Sequence, residues 1–267
     1  MRIGAVVYLN TCPLVAELPR LAPHVEIIFD VPSRLAQMLA DGQIDAGVVP
    51  SIEVARHPEW RIVSDACIAC RGQVKSVKLF SRVPIPAIQL LALDEGSRTS
   101  AVLARILLQE RYGLQPELTT LPIGFPAWDS PADAVVLIGD RAIRAPEDGF
   151  CEVWDLGQQW VRWTGLPMVF ALWAARPDAD LTALDRLLRE SRDAGLEKLP
   201  EIARREAPSR QLSEQQCLQY FQDHLFFVLG EQEKTGLRRF YDLARQYGFL
   251  TPEGLRMSSD ASKKAAN

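Results

Sequence analysis

Asn10 stands where a short apolar run gives way to a proline-started helix. In Met1 to Pro13, Ile3 to Tyr8 is rich in β-branched residues and predicts a buried strand, which Leu9-Asn10-Thr11 ends. Pro13 suits the first turn of a helix expected through Leu14, Val15, Leu18 and Leu21, with Thr11 or Cys12 near its cap. A carboxamide offers two donors and an acceptor. Here it lies at the carboxyl end of a strand, where ligands bind in open α/β sheets, and the N–H groups of the next helix favour anions. A second strand, polar turn and helix follow the same plan: Ile88 to Leu93, then Asp94 to Ser100, then a helix carrying Leu103, Ile106, Leu107 and Leu108 and stopped by Gly113. Ser97, Thr99 and Ser100 could hold a carboxylate there, although plain N-capping needs only one of the three. Ser51 follows the third strand and could cap a short helix to His57. Asp140 either faces the cleft or caps the turn after it.

These residues need a frame. Val25 to Phe29 predicts a strand, Pro32-Ser33 a helix start with Ser33 as N-cap, Leu35, Met38 and Leu39 its buried stripe, and Gly42 its stop. Ile44 to Val49 is a third strand, and Arg61 to Ser81 reads as extended, with Ser76 and Lys78 on one face. Val83-Pro84-Ile85-Pro86 reads as a stiff crossover between lobes. Asp133 to Asp140 echoes Asp45 to Ser51, an Asp-Ala pair opening a buried strand in each half, and Glu117 to Leu121 is a further strand. Trp160 and Trp163 lie on one side of a short helix after Asp155 and read as a core stripe rather than a ligand box. Thr164 to Pro167 turns into a return strand, Met168 to Ala174. Helices near Leu181–Leu196, Ser213–Leu225 and Glu231–Tyr247 are expected to cap the first lobe, and the tail Met257 to Asn267 to be disordered. Leu39 to Gly47 resembles a signature of type II periplasmic-binding-protein folds. The expected fold is therefore α/β and two-lobed, with a C-terminal helical segment: residues 1–86 and 175–267 form lobe 1, and 87–174 form lobe 2.

Composition narrows the function. The chain has 267 residues, 24% charged and 48% hydrophobic, as in ordinary globular proteins. A net charge of −4 speaks against a nucleic-acid partner. No apolar run reaches the ~18 residues of a membrane span. Met1-Arg2 leads directly into a strand rather than a secretory leader, so a cytoplasmic location is expected. Five scattered cysteines argue against a disulfide framework. Cys67 and Cys70 match CxxC, but on a strand they point to opposite faces and read as buried structural thiols. His24, His57 and His224 show no ligand spacing, so neither metal nor organic cofactor is expected.

Several stretches in order resemble the chorismate dehydratase family of the futalosine route to menaquinone. They are Tyr8-Leu9-Asn10-Thr11 with Pro13-Leu14, Val74 to Ser81, Ser97 to Ser100, Ile138-Gly139-Asp140, and Asp155-Leu156-Gly157 through Trp160 to Thr164-Gly165-Leu166-Pro167 and Val169-Phe170-Ala171. The resemblance spans Met1 to Trp173 and implies a periplasmic-binding-protein type II fold turned into an enzyme. The implied reaction removes water from chorismate to give 3-[(1-carboxyvinyl)oxy]benzoate. Three departures stand out: Val7 where Ser is frequent, Gln73 where Pro is frequent, and Cys12 where Arg is common, the last removing a cation that would help hold a carboxylate. Asn10 is the expected catalytic residue, bonding the departing hydroxyl or orienting the ring. The proton goes to the substrate's own enolpyruvyl carboxylate or to water. Tyr8, Thr11, Ser51, Ser76, Ser97, Thr99, Ser100, Gly139, Asp140 and Thr164 are the expected substrate-binding residues. A non-catalytic carboxylate-binding protein of the same fold, or the sister enzyme that makes dihydroxynaphthoate, are the alternatives. Dialysis against EDTA is expected to leave the rate of chorismate dehydration, followed in the ultraviolet, unchanged.

Overall fold

The computed structural model describes residues 1–250, and the expected disorder of the tail from Met257 lies outside them. The chain opens with β1 (Arg2–Val6), a single 3-10 turn (Leu9–Thr11) and two one-turn helices, α1 (Cys12–Val15) and α2 (Leu18–Leu21). The expected helix to Leu21 is thus broken. Pro19 in the first turn of α2 lacks the N–H that a continuing helix would need. Then come β2 (Glu26–Asp30), α3 (Pro32–Ala40), β3 (Ala46–Pro50), α4 (Ser51–Arg56) and β4 (Arg61–Cys70). Val31, not Ser33, occupies the cap position of α3, because Pro32 already supplies the pre-set first helical residue.

The next elements are β5 (Val77–Ser81), β6 (Leu90–Asp94), α5 (Thr99–Tyr112), β7 (Glu117–Leu121), β8 (Ala134–Ile138), α6 (Asp140–Arg144), β9 (Glu152–Asp155) and α7 (Leu156–Thr164). β10 (Met168–Ala175) returns to the first sheet. It is followed by α8 (Leu181–Glu197), α9 (Leu199–Arg210), α10 (Glu214–Gln219), a π-turn (Tyr220–His224), β11 (Phe226–Val228) and α11 (Glu231–Gln246).

Two mixed sheets result. The first has the order β11-β4-β10-β3-β1-β2 and the second β7-β6-β8-β5-β9. In each, three strands are parallel: β1 with β2 and β3, and β6 with β7 and β8. The crossing strands β5 and β10 pair antiparallel with their neighbours. β5 belongs to the second sheet, so the chain has already crossed by Val77, and the proline-rich Val83–Pro86 only turns it from β5 into β6 through the 3-10 turn Ile85–Ala87. α9 and β11 were not expected. Pro200 and Pro208 disguise α9, although Pro200 sits harmlessly in its first turn, and β11 is only three residues long.

The Asp-Ala echo has a physical reading. Asp45 Oδ2 accepts the Arg2 N–H at 2.7 Å, and Asp133 Oδ2 accepts the Gln89 and Leu90 N–H groups at 2.9 Å each. Each carboxylate therefore ties the start of the neighbouring parallel strand, β1 in one sheet and β6 in the other. Cys67 and Cys70 are fully buried on β4, and burial pushes the Cys70 thiol up to about 12. Trp160 is fully buried, donates Nε1–H to the Pro167 carbonyl at 3.1 Å and meets Trp163 edge-on, as a core stripe does.

α8 lies directly against the start of α1. Ser191 Oγ donates to the Leu14 carbonyl at 2.7 Å, and a Cβ on Gly195 would fall 1.9 Å from the Pro13 carbonyl oxygen. Only glycine permits that approach, so Gly195→Ala must displace the helix that follows Asn10. The expected loss of stability is about 1–3 kcal/mol or more, measured by denaturant unfolding.

Candidate active site

The carboxyl ends of β1, β3, β6 and β8 converge between the two sheets on a small cavity of about 50 Å3. Val6, Pro50, Ile68, Val77, Ile138 and Phe170 give it apolar walls, and its polar atoms come from Tyr8, Asn10, Ser76, Ser97, Thr99, Ser100 and the Gly139 backbone. Among the described residues no carboxylate or imidazole lines it, and Arg98 is the only charged side chain that does. That is a site of neutral donors around an apolar slot.

Asn10 sits in the 3-10 turn between β1 and α1. Its carboxamide oxygen accepts the Thr11 hydroxyl at 3.2 Å, which leaves the NH2 end as the donor offered to the cavity. Two structural reasons for an asparagine here fall away. Neither the 3-10 turn nor α1 has a side-chain cap, and Asn10 does not have the positive φ that would favour it over other residues. The anion-holding helix expected behind it is one turn long, too short to carry much of a dipole.

The other helix is different. α5 has fourteen residues, its N-terminus faces the cavity, and no side chain caps it. The Ser97 and Ser100 hydroxyls and the N–H groups of its first turn are therefore not spent on capping. Thr99 Oγ1 reaches across to the other lobe, accepting the Ile52 N–H at 3.3 Å and lying 3.4 Å from Ser51 Oγ. Arg98, inside the Ser97–Ser100 stretch yet not expected in the site, turns its guanidinium to Glu53 of α4 at 2.7 Å. Glu53 is buried and also holds Arg56 at 2.6 Å, so the one carboxylate is shared between two guanidiniums.

Tyr8 reaches from the first lobe into the second. A Cβ on Gly139 would lie 2.7 Å from its ring, and one on Gly96 would lie 3.3 Å from its hydroxyl. Asp94 builds this floor: Oδ1 accepts the Gly96 N–H at 3.0 Å, and Oδ2 accepts the Ile138 N–H at 3.2 Å and Arg141 at 2.7 Å. Burial, with the Asp94 carboxylate nearby, pushes the Tyr8 phenol well above the ordinary tyrosine value, so it stays a protonated, donor-capable hydroxyl.

Ser76 ends the passage from the first sheet to the second. The Asp155 carboxylate accepts the Val74 and Lys75 N–H groups at 3.0 and 2.6 Å, Lys75 takes a left-handed φ of 61°, and the Ser76 carbonyl accepts the Gly139 N–H at 2.8 Å. Tyr220, missed in the sequence, is buried on the π-turn, the kind of local irregularity that frequently marks functional positions. The Gln73 carbonyl oxygen lies 3.0 Å from His224 Nδ1. Lys78 instead pairs with Glu147 at 2.9 Å and does not line the cavity.

Four of the expected binding residues do not line the cavity. Thr11 is buried behind Asn10 and bonds it. Ser51 Oγ donates to the Val169 carbonyl at 2.8 Å. Thr164 closes α7, donating to the Trp160 carbonyl at 2.8 Å and accepting the Leu166 N–H at 3.1 Å. Asp140 uses one oxygen on the Leu9 N–H at 2.9 Å and the other on Arg210 at 2.8 Å. Cys12 also points away. It is half-buried, its thiol is pushed up to about 12 by desolvation, and Glu206, Arg210 and Asp140 are charged neighbours. A larger groove of about 690 Å3 lies on the outer side of the first lobe, between α4, β4, α8 and α11. Its Asp65, Asp185 and Glu231 are paired with Arg192, Arg189 and Lys234, and Asn10 is not in its wall.

Residues 1–246 match a family model described as menaquinone biosynthesis. The chain is 34% identical over 257 residues to a chorismate dehydratase of Thermus thermophilus, covering 89% of this chain and 93% of that one. It is 27% identical to a chorismate dehydratase of Campylobacter jejuni, with 90% and 96% covered. In fold it is similar to a protein of Archaeoglobus fulgidus, with TM-score 0.79, 17% identity and 93% and 98% of the chains covered. It is also similar to the alkanesulfonate-binding protein SsuA of Xanthomonas axonopodis bound to MOPS, with TM-score 0.65, 15% identity and 96% and 95% covered. These structural likenesses establish the two-lobed periplasmic-binding-protein fold.

Gly139 has φ +69° as well as the Tyr8 ring against it, so Gly139→Ala meets both backbone strain and a ring contact. A cost of about 2–4 kcal/mol is expected, seen as a lowered thermal midpoint and a changed near-ultraviolet circular dichroism signal as Tyr8 is expelled.

Proposed function

The chain belongs to the menaquinone-biosynthesis family, and from that premise we propose the work of its cleft: it is a chorismate dehydratase, a hydro-lyase that converts chorismate to 3-[(1-carboxyvinyl)oxy]benzoate and water. The observation that carries the assignment to this cavity is its wall, apolar on the sides and lined with neutral donors, with no external acid or base among the described residues. Chorismate brings two carboxylates and a diene ring. The apolar walls suit the ring. The N-terminus of α5, with Ser97 and Ser100, offers N–H and O–H donors to one carboxylate, and Ser76 to the other.

The reaction breaks the C4–O bond and the C3–H bond, and the electrons of the C–H bond complete an aromatic ring. That gain in aromaticity is the driving force, so the protein needs to hold geometry more than to supply a strong base. In this reading the Asn10 NH2 donates a hydrogen bond to the departing C4 hydroxyl, and the substrate's enolpyruvyl carboxylate takes the C3 proton and passes it to that hydroxyl, which leaves as water. Tyr8, held protonated, donates and does not abstract.

Ligand sites for molecules of this kind run to roughly 300–1,000 Å3. The cavity here is about 50 Å3, so substrate enters with the lobes parted and they close behind it, excluding water. The second lobe in this motion runs from Val77 to Thr164, the first and last residues of its elements. The dehydration opens the futalosine route and takes place in the cytoplasm. Among the described residues no helix is long and apolar enough to cross a membrane.

Asn10 is the test. Asn10→Asp keeps the size and suits the turn but loses the amide donor and sets a charge beside two substrate carboxylates. Losing a hydrogen bond of ~2–3 kcal/mol in the transition state slows turnover roughly thirty- to a hundred-fold. The measurement is chorismate turnover by Asn10→Asp and Asn10→Gly, with melts to show that both fold. Near-normal turnover in both would reduce Asn10 to a turn residue.

A further inference from the structure

We propose that Asp140 and Arg210 are positioning residues: together they form a brace that sets the Asn10 turn in place only when the two lobes are closed. The proposal rests on the dehydratase reading for its kinetic consequence but not for its geometry. Arg210 is the last residue of α9, and its Nη1 donates both to the Val7 carbonyl at 2.9 Å and to Asp140 Oδ2 at 2.8 Å. Asp140 Oδ1 accepts the Leu9 N–H at 2.9 Å. A closed loop of hydrogen bonds therefore runs Val7 carbonyl, Arg210, Asp140, Leu9 N–H. It grips the backbone on both sides of Tyr8, whose ring packs on Gly139, the residue before Asp140. Asn10 is the next residue along.

The Asp140 carboxylate does not cap its own helix. α6 starts after Gly139 with no side-chain cap, so the carboxylate that stands first in α6 closes the exposed end of a turn in the opposite lobe. It is largely buried, its side chain 12% exposed against 21% for Arg210. Burial raises its pKa, the Leu9 N–H and Arg210 working against that rise, with Arg144 also nearby. Glu206 shares Arg210 at 3.4 Å and is itself held by Arg205 at 3.0 Å. When the lobes part, the Leu9–Asp140 and Arg210–Asp140 bonds both break while Arg210 keeps the Val7 carbonyl on its own lobe. The turn that carries Asn10 then loses its second point of attachment. Closure and the placement of the reacting amide are thus one event, and the C-terminal helical segment takes part in a site it does not line.

Asp140→Ala, Asp140→Asn and Arg210→Met test this. Misplacing a catalytic group costs about ten- to a hundred-fold in turnover. Asp140→Ala and Arg210→Met are each expected to lower kcat by about that much with KM changed less than about threefold. The double variant should be hardly slower than either single one, because the two side chains act through one loop of bonds. Asp140→Asn, which keeps an acceptor for Leu9 but loses the charge, should fall between. Amide hydrogen exchange supplies a readout independent of activity. It should quicken at Leu9 and Thr11 in Asp140→Ala while β1 stays as protected as in the unaltered protein, which also shows that the variant folds. Unchanged exchange at Leu9 overturns the brace, as does an Asp140→Ala enzyme with raised KM and normal kcat, or fully additive losses in the double variant. If the unaltered protein fails to turn over chorismate, the dehydratase reading falls and the exchange arm alone decides the brace.

Discussion

Asp155 ends β9 and caps α7, yet two of the three N–H groups on its carboxylate belong to neither element. Besides Gln158 at 2.9 Å it accepts Val74 and Lys75, the residues through which the chain passes from one sheet to the other. A connecting segment buried between two lobes has backbone donors and no sheet or helix to take them, and leaving them unpaired costs as much as a lost hydrogen bond each. One carboxylate meets that need. Burial raises its pKa, while the three N–H groups and Lys78 oppose the rise. The left-handed Lys75 becomes tolerable because the bonds on either side over-determine it. From that fixed turn follow the position of Ser76, the pairing of its carbonyl with Gly139 and the glycine floor under Tyr8.

What the sequence made legible follows from which interactions are local. The strands ending at Val6, Pro50, Asp94 and Ile138, and so the cleft between them, could be seen because apolar runs and turn residues report burial along the chain. The crossing point could not. Prolines at 84 and 86 look like a connector, whereas the real passage at 71–76 is held by a carboxylate some eighty residues away. Hydroxyl side chains mark the same limit. Ser97 and Thr164 look equivalent as motif members, but one faces the cavity and the other is consumed by its own helix end. A residue type tells what a side chain can bond. Which way it points depends on backbone groups that are free nearby, and the helix-terminal ones take Thr164 first.

The same reasoning explains how charge is managed. A cation at position 12 would stand behind the turn, since the Cys12 thiol points into the space shared by Glu206, Arg210 and Asp140. This chain places a guanidinium in that space from α9 instead. The departure at Cys12 therefore removes no charge from the cavity wall. Arg98, the one charged side chain on that wall among the described residues, is turned to Glu53, which it shares with Arg56. Apart from Arg98, the hydrogen-bond donors on the wall are neutral.

Such a wall has a consequence for the proposed chemistry. Full cations would bind a dianion tightly before and after reaction, and binding that is equal in ground and transition states does nothing for the chemical step. Neutral donors fixed in place contribute less to ground-state binding, yet they remain available to charge that moves during the reaction, from the C3–H bond into the ring and onto the departing oxygen. In a slot screened from water by apolar walls, each such donor counts for more than it does in solution. The constraint then shifts from the charge of the donors to their placement. A binding-protein fold supplies that placement: two sheets whose strand ends converge, closing to bring one lobe's amide and the other lobe's helix end onto the same small volume.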